Sequence, residues 1–84
     1  MTYTVIILRA ARKSLAQLPE ADYQRVIAAI NALAQNPRPP GCIKLTGSPY
    51  WRIRVGVYRV IYDIEDTARI VTVVTVGHRR DVYR

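Results

Sequence analysis

The 84-residue chain has little cysteine and no long apolar run. Its one cysteine, Cys42, cannot form a disulfide within the chain, which predicts a reducing compartment or indifference to redox state. No stretch approaches the roughly 18 consecutive apolar residues of a membrane span. The apolar run at 5–8 is too short for a signal peptide and has no basic segment before it. These absences predict a cytoplasmic protein.

Acidic residues are also scarce. Six Asp and Glu stand against 13 Lys and Arg, which gives a net charge of +7 and indicates nucleic acid or another polyanion as a partner. Only two of the 13 cations are lysines, and the other 11 are arginines, whose planar guanidinium groups suit bidentate contacts with phosphate. One Cys, one His and scattered carboxylates do not make a metal-ligand set, so neither a metal site nor a cofactor is predicted.

The first half of the sequence has the pattern of one strand followed by two helices. Residues 3–8 are β-branched and nearly continuous in apolar character, which predicts a strand covered on at least one face. From Arg9 the pattern becomes helical, and Pro19 ends this first helix. A second helix is predicted after Pro19, with apolar residues at a 3.6-residue period, and it ends near Asn36, just before Pro37.

The second half has the pattern of a sheet. Residues 36–42 contain three of the five prolines and are predicted to be an irregular crossover, followed by a short strand at 43–45. Residues 50–62 alternate between apolar and polar on both sides of Gly56, which predicts a β-hairpin. If Gly56 and Val57 form a II′ turn, three pairs of residues face each other. These pairs are Val55 with Tyr58, Arg54 with Arg59, and Ile53 with Val60.

A final strand is predicted at 70–76, after a turn at 65–69 and before the chain leaves the sheet at Gly77. A three-residue loop at 66–68 would pair Ile64 with Ile70. This register places Thr75 beside Arg59 and puts four residues on the core face: Ile70, Thr72, Val74 and Val76. With no linker or repeat, residues 1–84 are predicted to form one α+β domain. Its two N-terminal helices pack on one face of a mostly antiparallel sheet of four to five strands, in the order β-α-α-β-β-β.

The two faces of the predicted hairpin differ in chemistry. One face is apolar and is predicted to be core: Trp51, Ile53, Val55, Tyr58, Val60 and Tyr62. The other carries Arg52, Arg54 and Arg59, with no acidic residue between Ile43 and Tyr62. Like charges directly opposite each other destabilise a sheet. The cluster therefore predicts an anionic ligand, for which a run of phosphates is the leading candidate. Asp63, further along the same face, is the alternative internal partner, and an ordinary solvated face is the simpler interpretation.

Three segments together resemble the RelE/ParE superfamily of bacterial toxins, and within it the RelE-like branch. They are Lys44-Leu45-Thr46-Gly47, Trp51 to Tyr62, and Val76 to Tyr83, and the resemblance extends over essentially the whole chain. It implies the toxin of a type II toxin-antitoxin system, a ribosome-dependent endonuclease that cuts mRNA in the A site through 2′-OH attack on the scissile phosphate. It also implies a RelB-like antitoxin that holds the toxin inactive in a hetero-oligomer. The ribosome and mRNA are the other implied partners, and no membrane is involved.

The resemblance also implies the site residues. The two basic residues of the family's first hairpin strand match Arg52 and Arg54, and the arginine of its second strand matches Arg59. The arginine after the last strand matches Arg79, and the C-terminal tyrosine matches Tyr83. The best-known RelE branch has lysine at both first-strand positions. Arginine keeps the charge there but is too basic to exchange protons easily. The segment between the last arginine and the tyrosine is also shorter here.

Proton transfer during RNA cleavage needs a titratable group near the phosphate. The sequence offers His78, of a residue type with an unperturbed pKa of about 6.5, and Tyr83, of a type whose pKa of about 10 would have to be lowered by arginines. The resemblance favours Tyr83 as the acid or base with His78 as a helper, although a solvated histidine is an equally good interpretation. Tyr50, Lys44 and Arg80 are candidate RNA contacts, Tyr50 through stacking on a base.

Two other functions fit the same fold. A ParE-like toxin would inhibit DNA gyrase by protein contact. That branch generally lacks the basic catalytic set and the closing tyrosine, so the joint presence of Arg54, Arg59, Arg79 and Tyr83 argues against it. A non-catalytic RNA-binding module, or a repressor component held with its antitoxin, would also use arginines. The residues alone do not separate binding from cutting.

Overall fold

The structure, a computed structural model, describes residues 2–78. Its elements in chain order are β1 (Thr4–Ile7), α1 (Arg9–Ala16), α2 (Glu20–Ala32), β2 (Ile43–Lys44), β3 (Trp51–Val55), β4 (Tyr58–Glu65) and β5 (Ile70–His78). The five strands form one sheet in the order β1-β5-β4-β3-β2. The β1–β5 pair is parallel and the other three pairs are antiparallel. The predicted α+β class, with two helices packed on a mostly antiparallel sheet, is confirmed.

Proline and backbone hydrogen bonding set the limits of α2. Pro19, with φ −53°, stands directly before the helix, where its missing N–H costs nothing. Glu20 and Asp22 in the first turn complement the positive end of the helix dipole. The helix ends at Ala32, before the predicted limit near Asn36. Residues 33–35 instead form i→i−3 hydrogen bonds of 3.0–3.1 Å, a tightened last turn.

Both helices pack on the same face of the sheet and bury a single core. The buried hydrophobic residues are Ala11, Leu15, Val26, Ile30 and Leu33 from the helical half, and Ile53, Val60, Tyr62, Val71, Val73 and Val76 from the sheet. Tyr62 is fully buried and donates its hydroxyl to the Pro37 carbonyl oxygen at 2.7 Å. This bond satisfies the phenol and holds the proline crossover against the sheet. Burial, followed by the neighbouring Cys42, raises the pKa of Tyr62.

The predicted β3–β4 hairpin is confirmed in register and in turn. Val55 pairs with Tyr58, Arg54 with Arg59 and Ile53 with Val60, around a two-residue turn. Gly56 has a positive φ of +60° and Val57 does not have a positive φ. This combination is the one that a II′ turn requires. The apolar face is confirmed as core. Ile53, Val60 and Tyr62 are buried, and the other members, Trp51, Val55 and Tyr58, pack against them.

The predicted β4–β5 register is wrong by one residue. The turn has four residues, 66–69, so that Glu65 pairs with Ile70 and Ile64 with Val71. Arg69 closes this turn with φ +56°, a conformation uncommon outside glycine. Its N–H donates to the Asp66 carbonyl oxygen at 3.3 Å. An arginine gives no sequence signal for a left-handed backbone, so the sequence does not indicate the longer turn.

A β-bulge then changes the face again within β5. Ile61 pairs with Thr75 but Tyr62 pairs with Val73, so Val74 is the extra residue. The buried residues of β5 are consequently Val71, Val73 and Val76. The predicted core positions Ile70, Thr72 and Val74 are wrong, and Val76 is confirmed. Gly77, instead of the predicted Thr75, lies beside Arg59, and the strand continues through Gly77 to His78.

Candidate functional site

The alternation of β3 and β4 places Arg52, Arg54 and Arg59 on the sheet face opposite the helices. We call this surface the arginine face. Arg54 is directly opposite Arg59, and Arg52 is opposite Ile61. In a two-residue hairpin the pair next to the turn is hydrogen-bonded, so the following Arg54–Arg59 pair is of the non-hydrogen-bonded type, with Cα atoms about 4.5 Å apart. The backbone therefore fixes these two cationic side chains side by side.

The three arginines differ in burial. Arg54 is exposed and Arg52 is half-buried, whereas Arg59 is only 5% exposed. Arg59 thus lies on the predicted face but is a buried residue. Its neighbour on β5 is Gly77, which has no side chain. The Nε atom of Arg52 is buried and has no hydrogen-bond partner in residues 2–78. A buried charged donor without an acceptor is costly, which favours an acceptor supplied by a ligand.

No carboxylate in the described part of the chain forms an ion pair with Arg52 or Arg54. The ion pairs found there lie elsewhere, between Arg25 and Asp22 at 2.8 Å and between Arg38 and Asp66 at 2.9 Å. Asp63, the candidate internal partner, pairs across the ladder with Thr72. The arginine face therefore keeps its positive charge close to solvent, at the exposed Arg54 in particular.

The first turn of α2 holds the tip of the hairpin. Asp22 accepts hydrogen bonds from the Tyr58 hydroxyl at 2.9 Å and from Arg25 Nη2 at 2.8 Å. The same Arg25 Nη2 lies 3.4 Å from the position that a Cβ on Gly56 would occupy. The hydrogen bond from Tyr58, and then that from Arg25, lowers the pKa of Asp22. This anchor is not predicted from the sequence, in which its one local signal is the Asp22–Arg25 spacing of i, i+3.

His78 lies on the other face of the sheet from the arginine face. It pairs with Tyr58 at the end of β5, and the two rings meet edge to face with centroids 6.2 Å apart. Both residues line a cavity of about 370 Å³, together with Ser14 and Gln17 of the α1 region. The structure therefore does not bring His78 together with the three hairpin arginines.

Of the predicted RNA contacts before β3, Lys44 lies away from the arginine face and Tyr50 lies in the loop that precedes the strand. Lys44 pairs with Trp51 and so lies on the helix-covered side of the sheet, with Nζ 3.4 Å from the Ser48 carbonyl oxygen. Tyr50 is half-buried in a tight loop. Its N–H donates to Ser48 Oγ at 3.0 Å, and its carbonyl oxygen accepts from the Leu45 N–H at 3.0 Å.

The remaining predicted site residues, Arg79, Arg80 and Tyr83, lie outside the described residues. In the part that is described, no three His, Cys, Asp or Glu side chains are grouped so as to hold a metal ion. Neither described helix has the length and apolar character needed to cross a membrane.

Comparison with known proteins identifies the family. A family model described as the ParE toxin of the type II toxin-antitoxin system parDE matches residues 5–83. Toxin RelG of Mycobacterium tuberculosis is 33% identical over 91 residues, spanning 100% of this chain and 99% of that protein. The archaeal RelE–RelB complex from Pyrococcus horikoshii OT3 matches with a TM-score of 0.85 and 32% identity, covering 98% of this chain and 100% of that chain. The RelBE2 toxin-antitoxin complex of M. tuberculosis gives 0.79 and 28%, covering 94% and 100%. The chain belongs to the RelE/ParE superfamily of type II toxin-antitoxin toxins and is RelE-like.

Proposed function

We propose that this toxin is a ribosome-dependent mRNA endonuclease that inhibits translation by cutting message in the A site. The observation that carries the proposal is the arginine face. Three arginines meet across one hairpin on the face away from the helices, and Arg52 and Arg54 have no described carboxylate to neutralise them. Fixed guanidinium groups of this kind suit a phosphodiester whose negative charge increases during the reaction.

The proposed reaction needs no metal. The ribose 2′-oxygen attacks the adjacent phosphorus, the bond to the 5′-oxygen breaks, and a 2′,3′-cyclic phosphate and a 5′-hydroxyl result. The pentacoordinate phosphate carries an additional negative charge, which Arg52, Arg54 and Arg59 would stabilise. Because preorganised donors of this kind need no reorganisation during the reaction, each typically contributes about 10²- to 10³-fold in rate.

The proton transfers are assigned to Tyr83, following the family resemblance. A proton must leave the 2′-OH and another must reach the 5′-oxygen. His78, on the helix-covered face, has no place in this scheme as described, and an arginine at either position of the first hairpin strand is too basic to take over. The toxin thus has several arginines to stabilise the charge on the phosphate but few groups suited to general acid-base catalysis. Alignment of the 2′-OH with the phosphate must therefore come from elsewhere, and a ribosome that holds the message would supply it.

We further propose that a RelB-like antitoxin, encoded beside the toxin gene, binds this chain in a cytoplasmic hetero-oligomer. Support comes from similar structures that were solved as RelE–RelB complexes. The positive arginine face is a suitable target for an acidic segment of such a partner.

The decisive experiment compares Arg54→Ala with Arg9→Ala. Both remove one exposed arginine and change the net charge equally, but Arg9 is on α1. Cleavage of ribosome-bound mRNA, followed by primer extension, should fall about 10²- to 10³-fold for Arg54→Ala and stay near wild type for Arg9→Ala. Naked RNA should be cut poorly by all three proteins. Equal cleavage of naked and ribosome-bound message would contradict the ribosome-dependent mechanism, and full activity of Arg54→Ala would remove this residue from the site.

A gyrase assay tests the alternative, since the matching family model is named for ParE toxins. If the protein inhibits supercoiling by DNA gyrase and leaves ribosome-bound mRNA intact, the nuclease proposal is wrong. If it does neither but binds RNA, it is a non-catalytic relative.

A further inference from the structure

The cavity of about 370 Å³ that contains His78 lies at one end of the sheet, on the helix-covered face. Helix α1 and the turn after it contribute Ser14, Gln17 and Leu18, whereas the start of β4 contributes Tyr58 and the end of β5 contributes residues 75–78. We call it the α1–β5 cavity. None of the side chains assigned to phosphate binding above lines it in the described part of the chain, so it is a separate place on the molecule.

The lining of the α1–β5 cavity is polar but carries little charge. None of its described residues is Lys, Arg, Asp or Glu. The Ser14 hydroxyl and the Gln17 amide form no hydrogen bond with another residue in 2–78, so both are available to a ligand as donors and acceptors. A lining of this kind suits an uncharged ligand with several hydrogen-bonding groups, and it does not suit a free phosphate.

Two aromatic rings form walls of the cavity. The rings of Tyr58 and His78 meet edge to face, with centroids 6.2 Å apart and planes at 80°. The Tyr58 hydroxyl donates to Asp22 at 2.9 Å, which fixes the orientation of that ring before any ligand binds. Unstacked RNA bases pack on tyrosine and histidine rings, and side-chain amides bind the edges of bases. The cavity therefore has both features of a base-binding site.

The α1–β5 cavity and the arginine face are at the same end of the sheet. Tyr58 lines the cavity and the next residue, Arg59, belongs to the arginine face, because successive side chains of a strand point to opposite faces. Gly77 pairs with Arg59 and also lines the cavity. Exposed Lys13, which has no ion pair in the described residues, lies one helical turn before Gln17 and is placed for the phosphate of a bound nucleotide.

We propose that the α1–β5 cavity binds a single unstacked RNA base, which packs against the His78 ring and hydrogen-bonds to the Gln17 amide and the Ser14 hydroxyl. This inference rests on the action on RNA proposed above. Phosphate contacts carry no sequence information, whereas contacts to base edges do. The base belongs either to the message, where the cavity sets a codon preference, or to ribosomal RNA, where it positions the toxin on the ribosome.

A pair of matched probes tests base binding directly. The isolated toxin is titrated with a short 2′-O-methyl oligoribonucleotide, which has no free 2′-OH for the cleavage reaction, and with an abasic oligomer of the same length and charge. The base-bearing probe should bind about tenfold more tightly than the abasic one. It should also shift the NMR signals of the His78 ring and the Ser14 amide. The abasic probe should leave these signals in place.

A pair of matched variants tests the role of Gln17. Gln17→Ala removes the amide from the cavity, whereas Gln24→Ala removes the same side chain from an exposed position of α2 that does not line it. Gln17→Ala should lower affinity for the base-bearing probe about fivefold and leave affinity for the abasic probe unchanged. Gln24→Ala should change neither, and equal melting temperatures show that both variants are folded.

Primer extension on ribosome-bound message distinguishes the two sources of the base. If the message supplies it, Gln17→Ala changes the relative cutting of different codons. If ribosomal RNA supplies it, Gln17→Ala lowers cutting by the same factor at every codon. Gln24→Ala should match the wild type in both respects. Cutting by Gln17→Ala that equals the wild type at every codon would show that the probe binds only at high concentration, and it would overturn the inference.

The failure of this inference differs from the failure of the proposed function. If the wild type cuts ribosome-bound message but the base-bearing probe does not shift the His78 and Ser14 signals, the base site is wrong and the nuclease stands. If the wild type leaves message intact but the base-bearing probe binds as expected, the nuclease is wrong and the cavity binds bases in a non-catalytic RNA-binding protein. Equal affinities for the two probes would also contradict a base site.

Discussion

Asp66 joins three parts of the chain through one carboxylate. Its Oδ1 accepts a hydrogen bond from the Tyr3 hydroxyl at 2.7 Å and another from Arg38 Nη1 at 3.2 Å, while its Oδ2 accepts from Arg38 Nη2 at 2.9 Å. The Arg38 guanidinium also lies over the Trp51 ring, 5.0 Å from the centroid. The residue before β1, the proline crossover and the β4–β5 turn are thereby held together at a single point.

This arrangement predicts a pH dependence that Asp66→Asn should remove. The bonds from Arg38, and then from Tyr3, lower the pKa of Asp66 from 3.8 to about 2. Because the folded-state pKa is the lower one, the carboxylate stabilises the folded protein above pH 3.8, and this stabilisation is lost as the pH falls toward 2. Asp66→Asn should therefore lower Tm at neutral pH and flatten the fall in Tm between about pH 4 and pH 2.

The matched control is Glu65→Gln, which neutralises the adjacent exposed carboxylate. Melting curves over a pH series compare the two variants with the wild type. A Tm profile of Asp66→Asn that runs parallel to that of the wild type through the acid range would contradict this account.

At the same scale, the sequence predicted the face of the three hairpin arginines correctly, but it predicted neither the face of His78 nor the burial of Arg59. Strict alternation around Gly56 fixes the face of each hairpin residue, whatever the sheet does elsewhere. The residue of β5 that lies beside Arg59 is Gly77, and this pairing is set by a turn and a bulge that the sequence does not signal. The predicted strand ended at Val76, whereas β5 continues to His78. Residues two apart in a strand share a face, so His78 lies on the same face as the buried Val76.

Each of the two hairpin turns contains one residue with a positive φ, but the residue types differ. The β3–β4 turn uses Gly56 at φ +60°, and the β4–β5 turn uses Arg69 at φ +56°. A residue with a Cβ costs about 1 to 2 kcal/mol in the left-handed region, and glycine costs about 0.5 to 1 kcal/mol in lost chain entropy. The first turn is therefore close to its optimum, whereas the second contains residual strain.

Exchanging these residue types should shift stability in opposite directions. Arg69→Gly should stabilise the fold by about 0.5 to 1 kcal/mol, since both backbone hydrogen bonds of Arg69 are retained. Gly56→Ala should destabilise it by about 1 to 2 kcal/mol, because the new Cβ is strained and lies 3.4 Å from the Arg25 guanidinium. Urea denaturation measures both. A loss of stability in Arg69→Gly would show that its side chain contributes more than its backbone costs.

The elements that the sequence predicts well are those that form because of residues close to one another in the chain. β1, both helices, the crossover and the hairpin were predicted within a few residues, because proline, glycine and apolar periodicity act on neighbours in sequence. The parallel pairing of β1 with β5 was not predicted, since it joins residues more than 60 positions apart, such as Thr4 and Ile70. The register of β4 with β5 was predicted wrongly for a different reason: one turn and one bulge decide it, and the sequence signals neither.

At the scale of the whole molecule, the two faces of the sheet differ, since the helices cover one face and the arginines lie on the other. The helices bury one face in the core, and the arginine face is on the other side of the same strands. With a net charge of +7, the molecule attracts polyanions. Salt limits the range of this attraction to roughly the Debye length, which is about 10 Å at 0.1 M ionic strength. The same field would act on RNA and on an acidic antitoxin, so the two would compete for one surface.

The charge of the arginine face predicts how salt affects the rate at which the antitoxin associates. Exposed charges at an interface act mainly on the association rate, so that rate should fall as salt rises, and the double variant Arg52→Ala/Arg54→Ala should associate more slowly with a shallower salt dependence. The double variant Arg9→Ala/Lys13→Ala removes the same net charge from exposed positions of α1 and serves as the control. Stopped-flow association across an ionic-strength series would measure all three. If both double variants change the rate and its salt slope equally, net charge alone steers the antitoxin, whereas an effect confined to the hairpin variant would locate its first contact on the arginine face.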